Sequence, residues 1–212
     1  MKHCRQALGV TALDGIIFAV GGRNGGYTFR EAEMLDPRRG KWISLPSMRN
    51  ARCDFGLTAV NGLLYAVGGY GMQCLNSVEV YDPRARRWTV AQPMLKKRRQ
   101  AGVTVFRDQL VVVGGLDESR TFLSSAEMLT DNGWTFLPEL SVPRRGFGVV
   151  YVDGSLFASG GRNGDVYLSS VEYLDFDSSR WEMLQACRNA TAECLLRNLP
   201  LAMSHILRKH LI

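Results

Sequence analysis

Four Gly-Gly pairs, Gly21-Gly22, Gly68-Gly69, Gly114-Gly115 and Gly160-Gly161, recur at intervals of 47, 46 and 46 residues. The only four tryptophans, Trp42, Trp88, Trp134 and Trp181, recur in step with them. A fixed period near 50 residues is long for a helix pair and suits four short strands with their turns. Other columns keep the same beat. Counted from the first glycine of each pair, Glu33, Glu79, Glu127 and Glu172 follow after 12, 11, 13 and 12 residues, and the tryptophans after 21, 20, 20 and 21. Gly15, Gly62, Asp108 and Gly154 stand six residues before the pairs, three of them in Asp-Gly or Asn-Gly dipeptides that accept the positive φ of a tight hairpin.

The runs flanking these turns are GVTAL and IIFAV, GLTAV and LLYAV, GVTVF and LVVVG, and GVVYV and SLFAS. They are short, β-branched and apolar, as strands buried between packed sheets should be. AEMLDP, VEVYDP, AEML and VEYLDF predict third strands, and KWISLPSM with its counterparts predicts fourth strands. Each unit is therefore expected to be one four-stranded propeller blade, in an all-β chain.

These residues resemble the kelch repeat of the Kelch-like protein family, in which a diglycine ends the second strand, a Glu-x-Tyr-Asp-Pro-like segment makes the third and a Trp-x-x-x-x-x-Met segment makes the fourth. The resemblance covers roughly residues 1 to 190. Two departures are local: the third unit reads Thr130-Asp131-Asn132-Gly133 in place of the Asp-Pro turn, and Leu140 stands where Met48 and Met94 stand elsewhere.

Met48, Met94 and Leu140 each precede a diglycine by 20 residues, and so does Met1; Arg5, Arg52, Arg98 and Arg144 form a column four residues further on. The chain is thus expected to begin inside the pattern, at the end of a missing blade's fourth strand. At the other end, Cys187 occupies the methionine column and Arg188-Asn189-Ala190 repeats Arg49-Asn50-Ala51, but no further turn or diglycine follows. We expect kelch repeats over 1–190 and a non-repeat tail over 191–212, where Leu199, Met203, Ile206 and Leu207 predict an amphipathic helix over about 200–211. Propellers of the family usually close with six blades. Four blades leave two outer blades with unpartnered faces, so a partial propeller bent into an open arc is expected, with self-association through those faces.

Repeated residues are assigned to packing. The tryptophans, Tyr65, Tyr81 and the four glutamates hold fixed columns and are expected to build the blades. The segments after each diglycine vary, and loops joining second and third strands gather on one rim. In Kelch-like proteins that rim binds substrate peptides, with arginine and asparagine after the diglycine among the residues used. The resemblance therefore points to Arg23, Asn24, Arg162 and Asn163. Tyr27, Arg30, Tyr70, Arg120 and Tyr167 lie in the same variable segments. Guanidinium forks bind carboxylates bidentately, and tyrosine supplies contact area at small entropic cost. The runs Lys96-Lys97-Arg98-Arg99 and Arg144-Arg145 lead into first strands on the same rim, which adds Arg99 and Arg145 to the candidates. With a formal net charge of +6, they favour an acidic peptide partner. Arg38, Arg39, Lys41, Arg84, Arg86 and Arg87 fall in turns of the opposite rim and are expected only to solubilise it.

Several functional classes find no support. His3, His205 and His210 are the only histidines and none lies within the blades, so no catalytic triad, copper site of the galactose oxidase kind or other metal or cofactor site can be assembled. No aromatic ladder accompanies the basic residues as single-stranded nucleic acid binding would require, and no apolar stretch is long enough to span a bilayer. Five cysteines without Cys-x-x-Cys spacing predict reduced thiols in a cytoplasmic setting. Cys53, between Arg52 and Asp54, is a candidate for a lowered pKa, although a bland cysteine is the simpler expectation.

The expected role is therefore a protein-interaction module of the kind that selects substrates for cullin-RING ubiquitin ligases. The resemblance implies that the cullin is gripped by a BTB and BACK region, which these 212 residues lack. Actin or cytoskeletal binding, which other kelch proteins perform, is the alternative.

Overall fold

A computed structural model describes residues 1–176 and 178–184. The expected tail helix, Cys187 and Arg188 lie outside the described residues. Four antiparallel four-stranded sheets follow one another along the chain. Blade 1 comprises Gly9–Leu13, Ile16–Val20, Ala32–Asp36 and Lys41–Leu45; blade 2 comprises Gly56–Val60, Leu63–Val67, Val78–Asp82 and Arg87–Ala91. Blade 3 comprises Gly102–Phe106, Gln109–Val113, Ala126–Thr130 and Gly133–Leu137; blade 4 comprises Gly148–Val152, Ser155–Ser159, Val171–Asp175 and Arg180–Leu184. Strands pair in chain order, and the first strands of successive blades lie against one another.

Local chemistry explains the hairpins. Asp14-Gly15, Asn61-Gly62, Arg107-Asp108 and Asp153-Gly154 all have positive φ at both central residues, the geometry whose twist matches that of paired strands. Blade 3 accommodates its lost Asp-Pro by shortening its outer hairpin: Thr130 pairs directly with Gly133, and the Thr130 hydroxyl donates to the Gly133 carbonyl at 2.8 Å. One expectation changes. The Arg-Asn-Gly segments are not plain loops, because Arg23–Asn24 pairs with Tyr27–Thr28 and Arg162–Asn163 with Val166–Tyr167 as miniature ribbons. Gly25 and Gly164 carry the positive φ at their tips.

The strands alternate their side chains between two faces, and each shared face becomes a core layer. Phe18, Val20 and Ala32 of blade 1 meet Leu64, Ala66 and Tyr81 of blade 2. Val67 and Val78 of blade 2 meet Leu110, Val112 and Trp134 of blade 3. Val111, Val113 and Ala126 of blade 3 meet Leu156, Ala158, Leu174 and Trp181 of blade 4. The tryptophans also tie neighbours by hydrogen bonds. The Nε1 groups of Trp88, Trp134 and Trp181 donate across to the carbonyls of Pro46, Gln92 and Pro138 at 2.9, 3.0 and 2.9 Å.

Three interfaces therefore join four blades. A Cβ on Gly56 would lie 2.1 Å from Val103 of the next blade, and one on Gly102 would lie 2.2 Å from Val149, whereas one on Gly148 would meet nothing within 4 Å. The outward face of blade 4 is accordingly uncovered among the described residues: Val150 is 50% exposed, and Ser159 stands in the column of Val20, Val67 and Val113.

Candidate functional site

The diglycine explains how each blade presents its loops. Both glycines adopt positive φ in all four blades. A Cβ on Gly21, Gly68 or Gly114 would come within 2.5, 2.5 or 2.6 Å of the backbone carbonyl of Arg52, Arg98 or Arg144 in the next blade. The second glycine then donates its N–H to that same carbonyl, at 2.8, 2.9 and 2.8 Å for Gly22, Gly69 and Gly115. Only glycine permits this approach.

The arginine and glutamate columns meet beneath this contact. Arg5–Glu33, Arg52–Glu79, Arg98–Glu127 and Arg144–Glu172 are ion pairs at 2.9, 2.7, 2.6 and 2.5 Å. Each guanidinium also donates to the carbonyl of the first glycine of its own blade. Each glutamate accepts backbone N–H bonds from the incoming connection: one from Lys2, and pairs from Arg49 and Asn50, Leu95 and Lys96, and Ser141 and Val142. Burial pushes the Arg52 and Arg98 pKa values down, while the paired glutamates oppose the shift. Arg98 and Arg144 were expected to charge the rim. They are buried and neutralised instead, so the rim loses them as ligand contacts.

The residue after each clamp arginine pairs with the residue after the same blade's diglycine: Gln6 with Arg23, Cys53 with Tyr70, Arg99 with Leu116, Arg145 with Arg162. Both loop types therefore share one rim, as expected. One residue further on, Ala7, Asp54, Gln100 and Gly146 take positive φ and join hand to hand. Asp54 N–H donates to Ala7 O, Gln100 N–H to Asp54 O, and Gly146 N–H to Gln100 O, at 3.0, 2.7 and 2.8 Å. An axial cavity of about 520 Å³ opens beside this line, with Leu8, Phe55, Ala101 and Leu168 among its lining residues.

A second cavity of about 350 Å³ adjoins it and shares Gln100, Arg145 and Arg162. Arg99 and Arg120 complete a set of four guanidiniums around it, and Asp165 supplies the single acid. Aromatic rings back three of these arginines: Arg99 lies 5.0 Å from the Tyr70 ring, Arg145 5.6 Å from Phe122, and Arg162 5.0 Å from Tyr167. Arg145 also donates to the Gln100 side chain, which donates in turn to Asp54 at 3.2 Å. Arg162 reaches Asp165 at 3.1 Å, but that carboxylate is fully exposed. No carboxylate pairs with Arg99, Arg120 or Arg145 among the described residues.

Of the expected rim residues, Arg99, Arg120, Arg145 and Arg162 converge on this cavity, with Tyr70 and Tyr167 as supports. Arg23, Asn24, Tyr27, Arg30 and Asn163 do not line it. Gln100, Phe122 and Asp165 are additional members. Only the column position of Gln100, two residues after Arg98, could have marked it in the sequence. Lys97 is spent on Glu118 at 2.8 Å, and Lys96 lies 5.7 Å from the Phe136 ring on the outermost strand.

Cys53 follows the simpler expectation of a bland cysteine, and the alternative of a lowered pKa is overturned. Cys53 is 1% exposed, and its thiol pKa is raised, first by burial and then by Asp54. Arg52, its neighbour in sequence, turns inward to Glu79. Cys74 is raised likewise, by burial and then by Glu118. Cys4, Cys53 and Cys74 are free thiols, and among the described residues no cluster of three His, Cys, Asp or Glu could hold a metal ion.

Comparison with known proteins bears on all of this. The Kelch motif matches residues 4–49, 51–95, 97–141 and 143–188, each unit running from before a clamp arginine to the end of its blade. Kelch-like protein 7 of Rattus norvegicus and of Mus musculus are each 37% identical over 76 residues, covering 34% of this chain and 13% of theirs. Kelch-like protein 8 of Mus musculus is 40% identical over 47 residues, covering 22% of this chain and 8% of its own. The chain thus matches a small part of the length of these relatives. The solved structure of YjhT superposes with a TM-score of 0.76 at 15% identity, over 89% of this chain and 68% of that one, which shows a shared fold.

Proposed function

Since this chain belongs to the kelch-repeat family, whose propellers are typically protein-interaction modules, we propose that it binds an acidic segment of another protein at the basic cavity of blades 3 and 4. It acts as the substrate-recognition part of a cullin-RING ligase adaptor. The observation that carries the acidic specificity is the set Arg99, Arg120, Arg145 and Arg162 around one cavity, of which only Arg162 meets a carboxylate, the fully exposed Asp165. The four clamp arginines are each matched by a buried glutamate; of the cavity arginines, three are backed by neutral rings, one of them also by an amide.

Guanidiniums held by aromatic faces keep their charge and lose little freedom when a carboxylate arrives, which favours bidentate recognition. The adjoining axial cavity offers apolar surface to a neighbouring side chain of the same segment. The ribbon residues Arg23, Asn24, Tyr27 and Asn163, together with Arg30, extend the contact surface along the rim.

The experiment is retention of degenerate peptide libraries on immobilised protein, one library enriched in Asp and Glu and one in Lys and Arg. Acidic peptides should be retained, less so at high salt, and the R99Q/R120Q/R145Q/R162Q variant should release them with unchanged melting. Equal retention of both libraries, or retention unaffected by the variant, overturns the proposal.

A further inference from the structure

We propose that the cavity of Arg99, Arg120, Arg145 and Arg162 is a phosphoryl site, so that the acidic group recognised is a phosphorylated serine or threonine of a peptide segment with an apolar neighbour. This rests on the reading of the rim as an acidic-segment site and names the chemistry of that segment.

Charge stoichiometry comes first. Four guanidiniums and one carboxylate surround a single volume of about 350 Å³, and the carboxylate is a solvent-facing one at the tip of a ribbon. A single ligand carboxylate carries one negative charge and occupies one guanidinium fork. A phosphoryl group carries about −1.5 to −2 at pH 7 and offers three strong acceptor oxygens, which suits several arginines arriving from different strands.

The arginines do arrive from different places. Arg99 and Arg145 lead into the first strands of blades 3 and 4, Arg120 lies in the loop after the diglycine of blade 3, and Arg162 opens the ribbon of blade 4. Arg99, Arg145 and Arg162 are backed by groups that leave their charge intact, and Arg120 stands exposed. Tyr70, Phe122 and Tyr167 supply ring faces, and Gln100 accepts from Arg145 through a neutral amide oxygen.

No protein acceptor reaches the buried Nε–H of Arg99, Arg145 or Arg162. The clamp arginines Arg5, Arg52 and Arg98 share that feature, so what sets the rim arginines apart is the lack of a buried carboxylate: Arg99, Arg120 and Arg145 pair with none among the described residues, and Arg162 meets only the exposed Asp165. In this chain an arginine that builds the blade has its glutamate; the rim cluster keeps its charge for a ligand.

The neighbouring cavity of about 520 Å³ sets the second requirement. It shares Gln100, Arg145 and Arg162 with the basic cavity and is lined beyond them by Leu8, Phe55 and Leu168. A peptide whose phosphorylated side chain enters the arginine cluster brings an adjacent residue over this apolar surface. Asp54 lines the same cavity, which disfavours a second anionic group there.

The test uses the whole chain and three degenerate heptapeptide libraries that differ only at the central residue: phosphoserine, glutamate or serine. Retained peptides are quantified and sequenced by mass spectrometry. Retention of the phosphoserine library should exceed that of the glutamate library on the order of tenfold, with apolar residues enriched beside the phosphoserine. Inorganic phosphate at millimolar concentration should compete. R120Q, at an exposed position, and R145K, which keeps the charge and loses the fork, should each reduce the phosphoserine preference without altering the melting profile.

Equal retention of the glutamate and phosphoserine libraries overturns the phosphoryl assignment and leaves the acidic-segment reading standing. Retention of neither above the serine library overturns both. Phosphoserine retention that survives both substitutions overturns the placement of the site.

Discussion

Arg98 and Glu127 meet at 2.6 Å with both side chains fully buried. Between them they gather the Gly114 carbonyl, the Ser125 carbonyl and hydroxyl, and the N–H groups of Leu95 and Lys96. A hairpin, a third strand and an incoming connection are thereby held at one point. The buried arginine–glutamate pair and its glycine carbonyl recur in all four blades.

Breaking one partner of this knot leaves a buried uncompensated charge and strands two N–H donors. Glu127→Ala should destabilise the chain by about 3–5 kcal/mol, measured by urea denaturation. Glu127→Gln should cost less than Ala, because the amide oxygen still accepts one bond. A loss below about 1 kcal/mol for Glu127→Ala would show that the knot contributes little net stability.

Two alanine substitutions at equivalent positions separate a covered blade face from an open one. In Gly56→Ala the new Cβ falls 2.1 Å from Cγ2 and 2.6 Å from Cβ of Val103, too close for a rotamer change to relieve. A loss of about 1–3 kcal/mol is expected. Gly148→Ala meets nothing within 4 Å and should stay within about 0.5 kcal/mol of the parent. A large loss at Gly148 would mean that this face is covered in solution.

The open face of blade 4 presents Val150, 50% exposed, on the same side as the stacked pair Phe157 and Tyr173. Light scattering should report a mass that rises with concentration, and Val150→Lys should suppress the rise. A concentration-independent monomer would refute association through this face.

Alkaline conditions should weaken the fold through its buried thiols. Cys53 and Cys74 hold their protons to higher pH than unfolded thiols, which titrate near the ordinary value of 9.0. Above that value the unfolded chain binds fewer protons than the folded one. The stabilising contribution is therefore intact below pH 9 and falls as pH climbs beyond it. Denaturation midpoints from pH 8 to 10.5 should decline, and less steeply in C53A/C74A. In the folded chain iodoacetamide should modify exposed Cys4 before either buried thiol.

Much of the fold was legible in the sequence because blade formation is a local matter. Asp14-Gly15 and Asn61-Gly62 specify their hairpins through backbone preference, and alternating apolar residues specify which faces pair. The arginine and glutamate columns were visible as a rhythm, but their meeting was not, because nearly 30 residues separate Arg98 from Glu127. Arg99 and Arg98 are neighbours of identical chemistry, yet one lines a cavity half-buried and the other is fully buried. Cys53 shows the same limit: Arg52 beside it in sequence points away from it in space.

The sequence by itself determined the repeat, the strands, the turns and the four-blade all-β architecture, since each follows from φ preferences and alternation acting over a few residues. Only the tertiary structure decided which charges survive. Successive blades bring the incoming loops over the glutamates, and burial in a low-dielectric layer forces Arg5, Arg52, Arg98 and Arg144 to pair there. The convergence of blades 3 and 4 leaves Arg99, Arg120, Arg145 and Arg162 around one cavity with their charge largely unspent.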